Sequence, residues 1–364
     1  MNHYPSNVKE KLNSIILSMA EHHWLFSKNP GHDFTRQHLG KLSFYDTMRL
    51  IISMGKGSTN DEIMDYFNLD PDLIPSQSAF CQRRRQISLS AFEYLFSEFS
   101  SSFPSTTDKF KDHCILACDG CHVVYATNSD IIEDYNKPRL IDYKGYNHMH
   151  LNGFVDVISK AFLDVVIQPG QQPDEREALH SMLDHFTPDD PQKYIITADR
   201  GYESYDLLFH CELKNLGYVF RVKSPSSPKS ILSYYASEFP DDLEEFDVTI
   251  KRFFTDKATN IMKSQSDVYR YINPSKNTPH FYELLRKNHS HLYFLQFRVV
   301  KIKTAENTQE IYSRLILYNF GIFIANEAAE ENRKKKRDTP YAQIIDSILI
   351  YGNFSSGLLD KSFL

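Results

Sequence analysis

Residues 113–121 read HCILACDGC, a continuous apolar run that ends in an acid and a glycine. Such a run is typical of a buried strand, and residues 122–127 are expected to form its hairpin partner. Further strand-like runs and helical stretches follow along the chain. The strands start at Gly153, Phe162, Tyr194 and Gly217, and the helices are expected over residues 174–186 and 204–216.

This order of elements predicts an α/β fold. Three strands, a helix, a strand, a helix and another strand favour a mixed sheet flanked by helices. The ordering matches the ribonuclease H type of α/β domain, and we place this core at residues 109–223. A β-rich insertion and a last strand are expected over residues 224–303, followed by a C-terminal helical segment over residues 304–364.

Residues 1–108 are predicted to form an N-terminal all-α domain, because apolar residues recur there at a spacing of three to four. A capped helix over residues 61–67 precedes a proline-containing break, and a second helix starts near Ser76. That second helix carries a polar and basic run, Gln82, Arg83, Arg84 and Arg85. The order is typical of a helix-turn-helix DNA-binding domain, in which basic side chains contact phosphates and Gln82 a base edge. The alternative is a helical hairpin with a solvated basic face.

Composition excludes several classes of protein. The net charge of −6 excludes a uniformly basic nucleic-acid-binding surface. Five cysteines do not form a disulfide framework. Cys118 and Cys121 form a C-x-x-C, but no second pair with zinc-ligand spacing follows, so buried thiols in a reducing compartment are preferred over a zinc site. With no evident signal peptide and no apolar stretch of about 20 residues, we expect a cytoplasmic protein without membrane contact.

Two aspartates are the candidate metal ligands. Asp119 closes one predicted strand and Asp199 another, and a glycine follows each within two residues. A carboxylate at the exposed end of a buried strand is well placed to hold a divalent cation. Two such carboxylates on neighbouring strands could bind a pair of Mg²⁺ ions about 3.5–4 Å apart. Such a pair catalyses phosphoryl transfer by in-line displacement. The alternative is that each aspartate caps the turn that follows it.

Several short segments carry a resemblance to a known family. They are ACDG at 117–120, KGYN at 144–147, HLN at 150–152, DVVIQPG at 164–170, ITADRGYES at 196–204, FRVVKIK at 297–303 and QEIYSRLILYNF at 309–320. Together they resemble bacterial insertion-sequence DDE transposases, in particular the insertion sequence 4 family. The resemblance implies a ribonuclease H-like catalytic core in which three acids hold Mg²⁺ or Mn²⁺, and Asp119 and Asp199 match the first two.

The third acid of that family is not evident. The family's Glu lies on a helix in a Tyr-x2-Arg-x3-Glu-x6-Lys pattern, and after Asp199 no Arg is followed four residues later by Glu. Only five residues separate Lys303 from Gln309, where the family has a further strand and the Glu-bearing helix. An internal deletion is therefore expected to impair catalysis. Glu310 is the best candidate for the third acid by position; alternatively, it is a favourable charge at a helix N-terminus.

The resemblance thus implies a transposase that binds double-stranded transposon ends and cuts and transfers DNA strands, with a homodimer as one possible assembly. The expected DNA contacts come from the basic helix and from one residue beside the second aspartate, namely Gln82, Arg83, Arg84, Arg85 and Arg200. Arg200 can alternatively hold Asp199 in an ion pair. Two other interpretations stay open: a non-catalytic DNA-binding remnant of a transposase, and a two-metal nuclease that acts on another substrate.

Overall fold

The computed structural model describes residues 4–35, 42–102, 110, 112–137, 145–239, 245–257, 259–273 and 278–301. Glu310 and the predicted segment 304–364 lie outside these residues. The chain divides into two compact units. The first unit comprises residues 1–201 and 214–219, and the second comprises residues 202–213 and 220–364.

The described residues form α-helices, short 3₁₀-helices and β-strands. The α-helices are α1 (Tyr4–Glu21), α2 (Phe44–Ser53), α3 (Thr59–Tyr66), α4 (Gln77–Gln86), α5 (Leu89–Ser101), α6 (Glu175–His185), α7 (Tyr205–Leu213), α8 (Asn260–Ser264) and α9 (Pro279–Lys287). The strands are β1 (Cys114–Tyr125), β2 (Tyr135–Asn136), β3 (Tyr146–Asp156), β4 (Phe162–Pro169), β5 (Tyr194–Ala198), β6 (Gly217–Phe220), β7 (Phe246–Thr255), β8 (Tyr269–Tyr271) and β9 (Leu292–Lys301). The 3₁₀-helices are His23–Leu25, Pro191–Lys193 and Ile231–Glu238.

Helices α1 to α5 lie in the N-terminal part of the first unit. Serines begin three of its helices: Ser43, Ser58 and Ser76 each accept a hydrogen bond from the backbone N–H three residues ahead. Such bonds satisfy a donor that the first helical turn leaves free. Helices α1, α2 and α5 share one apolar core, and α2 also packs against α3 and α4.

A mixed sheet forms the rest of the first unit. Its strand order is β2-β3-β1-β5-β6, and β4 also pairs with β3. Strand β1 is antiparallel to β3 and parallel to β5, and β3 is antiparallel to β4. Helix α6, which connects β4 to β5, packs against β3 and β4. The predicted mixed α/β fold is confirmed at this level.

The predicted hairpin between residues 113–121 and 122–127 is wrong. Strand β1 runs without a break from Cys114 to Tyr125, and Asp119 and Gly120 pair with Gly153 and Asn152 of β3. An Asp-Gly dipeptide favours a turn when it stands alone, but here the ladder to β3 continues on both sides of it. Asp119 therefore lies inside β1 and does not close it.

The second unit contains a three-stranded sheet in the order β8-β7-β9, in which β7 is antiparallel to β9 and parallel to β8. Helices α7 and α9 pack on each other, with the Phe209 and Phe281 rings stacked at 4.5 Å between centroids. Buried Asp206 on α7 accepts hydrogen bonds from the N–H groups of His280 and Phe281 in the first turn of α9. The predicted strands near residues 246 and 292 are β7 and β9.

Candidate active site

Two aspartates lie side by side where the parallel pairing of β1 and β5 ends. The last registered pair is Cys118 with Ala198, and Asp119 and Asp199 are the next residues on the two segments. Adjacent strands lie about 4.8 Å apart, so these two residues are neighbours although they are distant in the chain. Both are exposed. The structure therefore brings together the two acids predicted to bind metal.

The turn-capping alternative has a different outcome for each aspartate. Asp119 Oδ1 accepts a hydrogen bond from Gly120 N at 2.9 Å, but Gly120 continues β1 and no turn follows. Asp199 is followed by a turn at Arg200 and Gly201. Capping thus fails to explain Asp119 and stays open for Asp199.

A third carboxylate, that of Glu175, lies against the same two segments. Glu175 is the first residue of α6. A Cβ atom built on Gly120 would lie 2.9 Å from Glu175 Oε1, and one built on Gly201 would lie 2.8 Å from Glu175 Oε2. Glycine at both positions therefore leaves the space that the Glu175 carboxylate fills.

A buried histidine accompanies Glu175. The His150 side chain on β3 is 5 % exposed, and its Nε2 lies 3.3 Å from Glu175 Oε1. Within the described residues neither ring nitrogen makes a hydrogen bond, because the contact with Glu175 lacks hydrogen-bond geometry. The His122 ring packs edge-on against the His148 and His150 rings, at 4.6 and 4.9 Å between centroids. Histidine side chains thus line β1 and β3 beside Glu175.

The C-x-x-C pair does not form a metal site. Cys118 is buried and Cys121 is exposed, and neither is in a disulfide. Residues three apart on a continuous strand point to opposite faces of the sheet. The two sulfurs therefore are not placed to ligate one zinc ion together. Both cysteines were expected to be buried; Cys118 is buried, whereas Cys121 is exposed.

Comparison with known proteins gives the family. Residues 110–291, half of the chain, match the family model described as Transposase DDE domain. The chain belongs to this transposase family. No curated protein matches it.

The matched transposase DDE domain includes Asp119, Asp199 and Glu175, and it continues into the second unit as far as His291. Transposase DDE domains generally use divalent metal ions. The donor set suits such ions, since hard cations prefer carboxylate oxygens. Among the helices that the structure describes, none is long and apolar enough to cross a membrane.

The predicted DNA-contacting run lies on α4 of this transposase. Gln82, Arg84 and Arg85 are exposed. Arg83 is half-buried: its guanidinium carbon lies 5.2 Å from the centroid of the Phe34 ring, and Nη1 donates to Gln86 Oε1 at 3.1 Å. Residues 67–76 separate α3 from α4, a connection longer than the three- or four-residue turn of a compact helix-turn-helix.

The remaining predicted site residues are Arg200 and Glu310. Arg200 is exposed and directly follows Asp199. Glu310, the predicted third acid, lies outside the described residues. The structure therefore gives the setting of the first two acids and of Arg200 only.

Sequence reasoning missed Glu175 and His150. A signal for Glu175 was present, because the predicted helix 174–186 begins with acidic residues directly after a strand. A helix that connects two parallel strands starts at the edge of the sheet where the following strand ends. His150 lies in the segment HLN, which was used for the resemblance without a role for its histidine.

Proposed function

We propose that this chain is a transposase of an insertion sequence, of the insertion sequence 4 family, which binds transposon-end DNA and uses divalent metal ions to cut and transfer DNA strands. The observation that carries the proposal is the register of β1 and β5. It makes Asp119 and Asp199 adjacent, exposed residues at one point of the sheet.

The strand order supports a ribonuclease H-like core over residues 109–223. Three antiparallel strands (β4, β3 and β1) are followed across the sheet by β5, parallel to β1, and by β6. Helix α6 joins the antiparallel part to β5. This is the order expected from the sequence for that type of domain.

The described residues fit a divalent ion. Asp119 and Asp199 offer exposed carboxylates on adjacent backbone segments. When bound, Mg²⁺ or Mn²⁺ ions activate an attacking oxygen and stabilise the leaving oxygen of an in-line phosphoryl transfer. The Gly120 N–H orients the Asp119 carboxylate by donating to its Oδ1.

DNA contact is assigned to the exposed side chains of the N-terminal region and to Arg200. Arg84 and Arg85 are placed to neutralise phosphates, and Gln82 shares their helix as a candidate for a base edge. Arg200 lies one residue from Asp199, where a phosphate about to be cut would carry negative charge. The half-buried Arg83 contributes less to DNA binding because its guanidinium stacks on Phe34.

Catalysis is expected to be impaired. The family's third acid has no counterpart in an Arg-x3-Glu pattern after Asp199, and we assign its position to Glu310. This missing pattern favours a second candidate function, a DNA-binding remnant that occupies transposon ends without cutting them.

A nicking assay tests the proposal. Supercoiled plasmid that carries the transposon ends is incubated with the protein and Mn²⁺ or Mg²⁺, and end binding is measured in parallel by gel shift. Asp119→Asn and Asp199→Asn are expected to lower nicking by more than about 100-fold, because even indirect damage to a metal site costs 10–100-fold. Asp189→Asn, a change of an exposed aspartate in the same unit, is the matched control.

Each other outcome has a distinct meaning. End binding without nicking by the unaltered protein supports the remnant. Nicking that depends on Asp119 but does not require transposon ends in the plasmid supports a nuclease with another substrate. Nicking that survives both aspartate changes contradicts the proposed active site.

A further inference from the structure

We infer that His150, Glu175 and His122 form a zinc-binding site on the face of the first sheet opposite to the Asp119 carboxylate. Successive residues of a strand point to opposite faces. Gly120 and His122 of β1 therefore face away from the Asp119 side, and the His150 ring lies against both of them. The site goes beyond the proposed function and does not depend on the aspartate pair.

The start of helix α6 places Glu175 on this face. Gln168 of β4 makes two hydrogen bonds with the backbone of Asp174: its Nε2 donates to Asp174 O, and its Oε1 accepts from Asp174 N, both at 3.0 Å. Asp174 Oδ1 in turn accepts from the N–H groups of Arg176 and Glu177 at 3.1 Å each. The first residue of the helix, Glu175, is thereby held against β1 and β3.

The contact between His150 and Glu175 has the separation of two ligands of one ion. His150 Nε2 lies 3.3 Å from Glu175 Oε1, and no hydrogen bond joins the two atoms. Two ligand atoms of a tetrahedral Zn²⁺, each about 2.0–2.2 Å from the metal, lie about 3.3–3.5 Å from each other. One ion can therefore bind both atoms without a change in their separation.

His150 is the independent sign of a ligand. Its side chain is 5 % exposed, and neither ring nitrogen has a hydrogen bond in the part of the chain that the structure describes. The buried Oδ1 of Asn152, two residues further along β3 on the same face, also lacks one there. Buried polar groups without partners cost free energy of folding, and each calls for a water, an ion or a functional role. A metal ion bound by Nε2 gives the His150 ring such a partner.

His122 is the available third ligand. It is exposed on β1 and pairs with His150 in the antiparallel register, with 4.9 Å between the ring centroids. The ligand atoms of His122, His150 and Glu175 are not all within 4.8 Å of one another, so the His122 ring has to turn toward the other two. An exposed side chain changes rotamer within picoseconds to nanoseconds. Two histidines and a glutamate then leave the fourth zinc position for water.

Donor chemistry favours zinc over magnesium at this place. Imidazole nitrogen is a good ligand for Zn²⁺, whereas Mg²⁺ prefers oxygen ligands. The Glu175 side chain is 36 % exposed, so an ion can enter from solvent. A bound ion joins β1, β3 and α6 through one side chain of each and therefore stabilises their packing.

Zinc binding to the full-length protein tests the inference, measured by competition with a chromophoric chelator. The protein carries Asp119→Asn and Asp199→Asn, so that the proposed active site does not contribute. One Zn²⁺ per chain is expected to bind. His150→Gln and Glu175→Gln are each expected to weaken binding by at least about 100-fold, because changing even a group outside the first coordination shell costs about 10–100-fold.

His122→Gln covers the case in which a change at buried His150 prevents folding. His122 is exposed, so folding is expected to be retained while zinc affinity falls at least about tenfold. The matched controls are His185→Gln, an exposed histidine at the end of α6, and Glu177→Gln, an exposed glutamate of the first turn. Both controls are expected to keep the zinc affinity.

X-ray absorption at the zinc edge identifies the ligand atoms. The proposed site gives nitrogen and oxygen neighbours with the scattering pattern of imidazole, whereas cysteine ligation gives a Zn–S distance of about 2.3 Å. Sulfur neighbours would overturn the inference, because they would move the ion to the cysteines.

The remaining outcomes are equally decisive. Loss of zinc in the His150, Glu175 and His122 variants, with both controls intact, supports the site. Absence of zinc binding, or unchanged affinity in these three variants, overturns it and leaves His150 and Glu175 as an ordinary ion pair. Unchanged affinity in His122→Gln alone overturns the three-residue site. None of these results bears on the aspartate pair, which is tested by nicking.

Discussion

At the scale of single residues, the cysteines show how position in the fold sets chemistry. Cys121 is exposed on β1, whereas Cys211 on α7 is buried in the second unit. Burial raises the pKa of the Cys211 thiol to about 12, because the thiolate would lose its hydration. Since the thiolate is the reactive form, Cys211 is protected both by its burial and by its raised pKa.

We expect iodoacetamide at pH 8 to label Cys121 in the folded protein and to leave Cys211 unmodified, as measured by mass spectrometry of peptides. A pH of 9 is still far below the pKa of the Cys211 thiol, so Cys211 is expected to remain unmodified at that pH as well. All five cysteines should react in guanidinium chloride, which is the control. Equal labelling rates for Cys121 and Cys211 without denaturant would contradict the burial of α7.

At the scale of elements, a single lysine caps the C-terminus of helix α6. Lys214 Nζ donates to the carbonyl oxygens of Leu183, Asp184 and Phe186, with distances of 3.1 Å to the last two. The last four carbonyls of a helix have no partner within it, and a cation at that end also interacts favourably with the helix dipole. Lys214 therefore stabilises the helix that carries Glu175.

Lys214→Met is expected to lower the free energy of unfolding by about 1–3 kcal/mol, because it leaves several carbonyl groups without their charged donor. The measurement is urea denaturation followed by circular dichroism. Lys193→Met removes an exposed lysine that pairs with Asp190 at 2.7 Å, and a smaller effect is expected there. Similar denaturation midpoints for the two variants would show that the hydrogen bonds of Lys214 to α6 contribute nothing to the free energy of unfolding.

Most helices and strands could be predicted from the local pattern of apolar and polar residues in the sequence. The predicted helix 174–186 is α6 with its two caps, Asp174 and Phe186, and the apolar runs from Phe162 and Tyr194 are β4 and β5. The hairpin after Cys121 was wrong because turn preference is local, whereas the ladder with β3 is formed by residues much later in the chain.

The candidate site was predictable only in part. Adjacent strands made the closeness of Asp119 and Asp199 a reasonable expectation. The contact of Glu175 with Gly120 and Gly201 was not predictable, because it depends on how α6 packs and on which way each backbone segment faces. Contacts of this kind are set by tertiary packing and leave no periodic signal in the sequence.

At the scale of the whole molecule, the charge distribution matters more than its sum. The chain carries a net charge of −6, which opposes general attraction to DNA. The exposed basic residues of α4, Arg84 and Arg85, therefore have to act locally. Phosphate contacts make affinity depend on salt concentration, with a slope that grows with the number of neutralised phosphates.

We expect Arg84→Ala and Arg85→Ala each to weaken binding to transposon-end DNA and to reduce the slope of log affinity against log salt by about 1. Fluorescence anisotropy at several salt concentrations measures both quantities. Arg83→Ala is the comparison: because Arg83 stacks on Phe34, its loss should affect thermal stability more than the slope. Unchanged slopes for Arg84→Ala and Arg85→Ala would favour a merely solvated surface on α4.

Strand β1 pairs with a neighbouring strand on both of its edges, with β3 over its C-terminal part and with β5 over its N-terminal part. Sliding it by one residue would turn every side chain to the opposite side of the sheet and would have to break both ladders at once. Strand pairing therefore fixes the relative position of the two aspartates as the sheet folds. Drift of one acid away from the other would require unfolding the sheet itself.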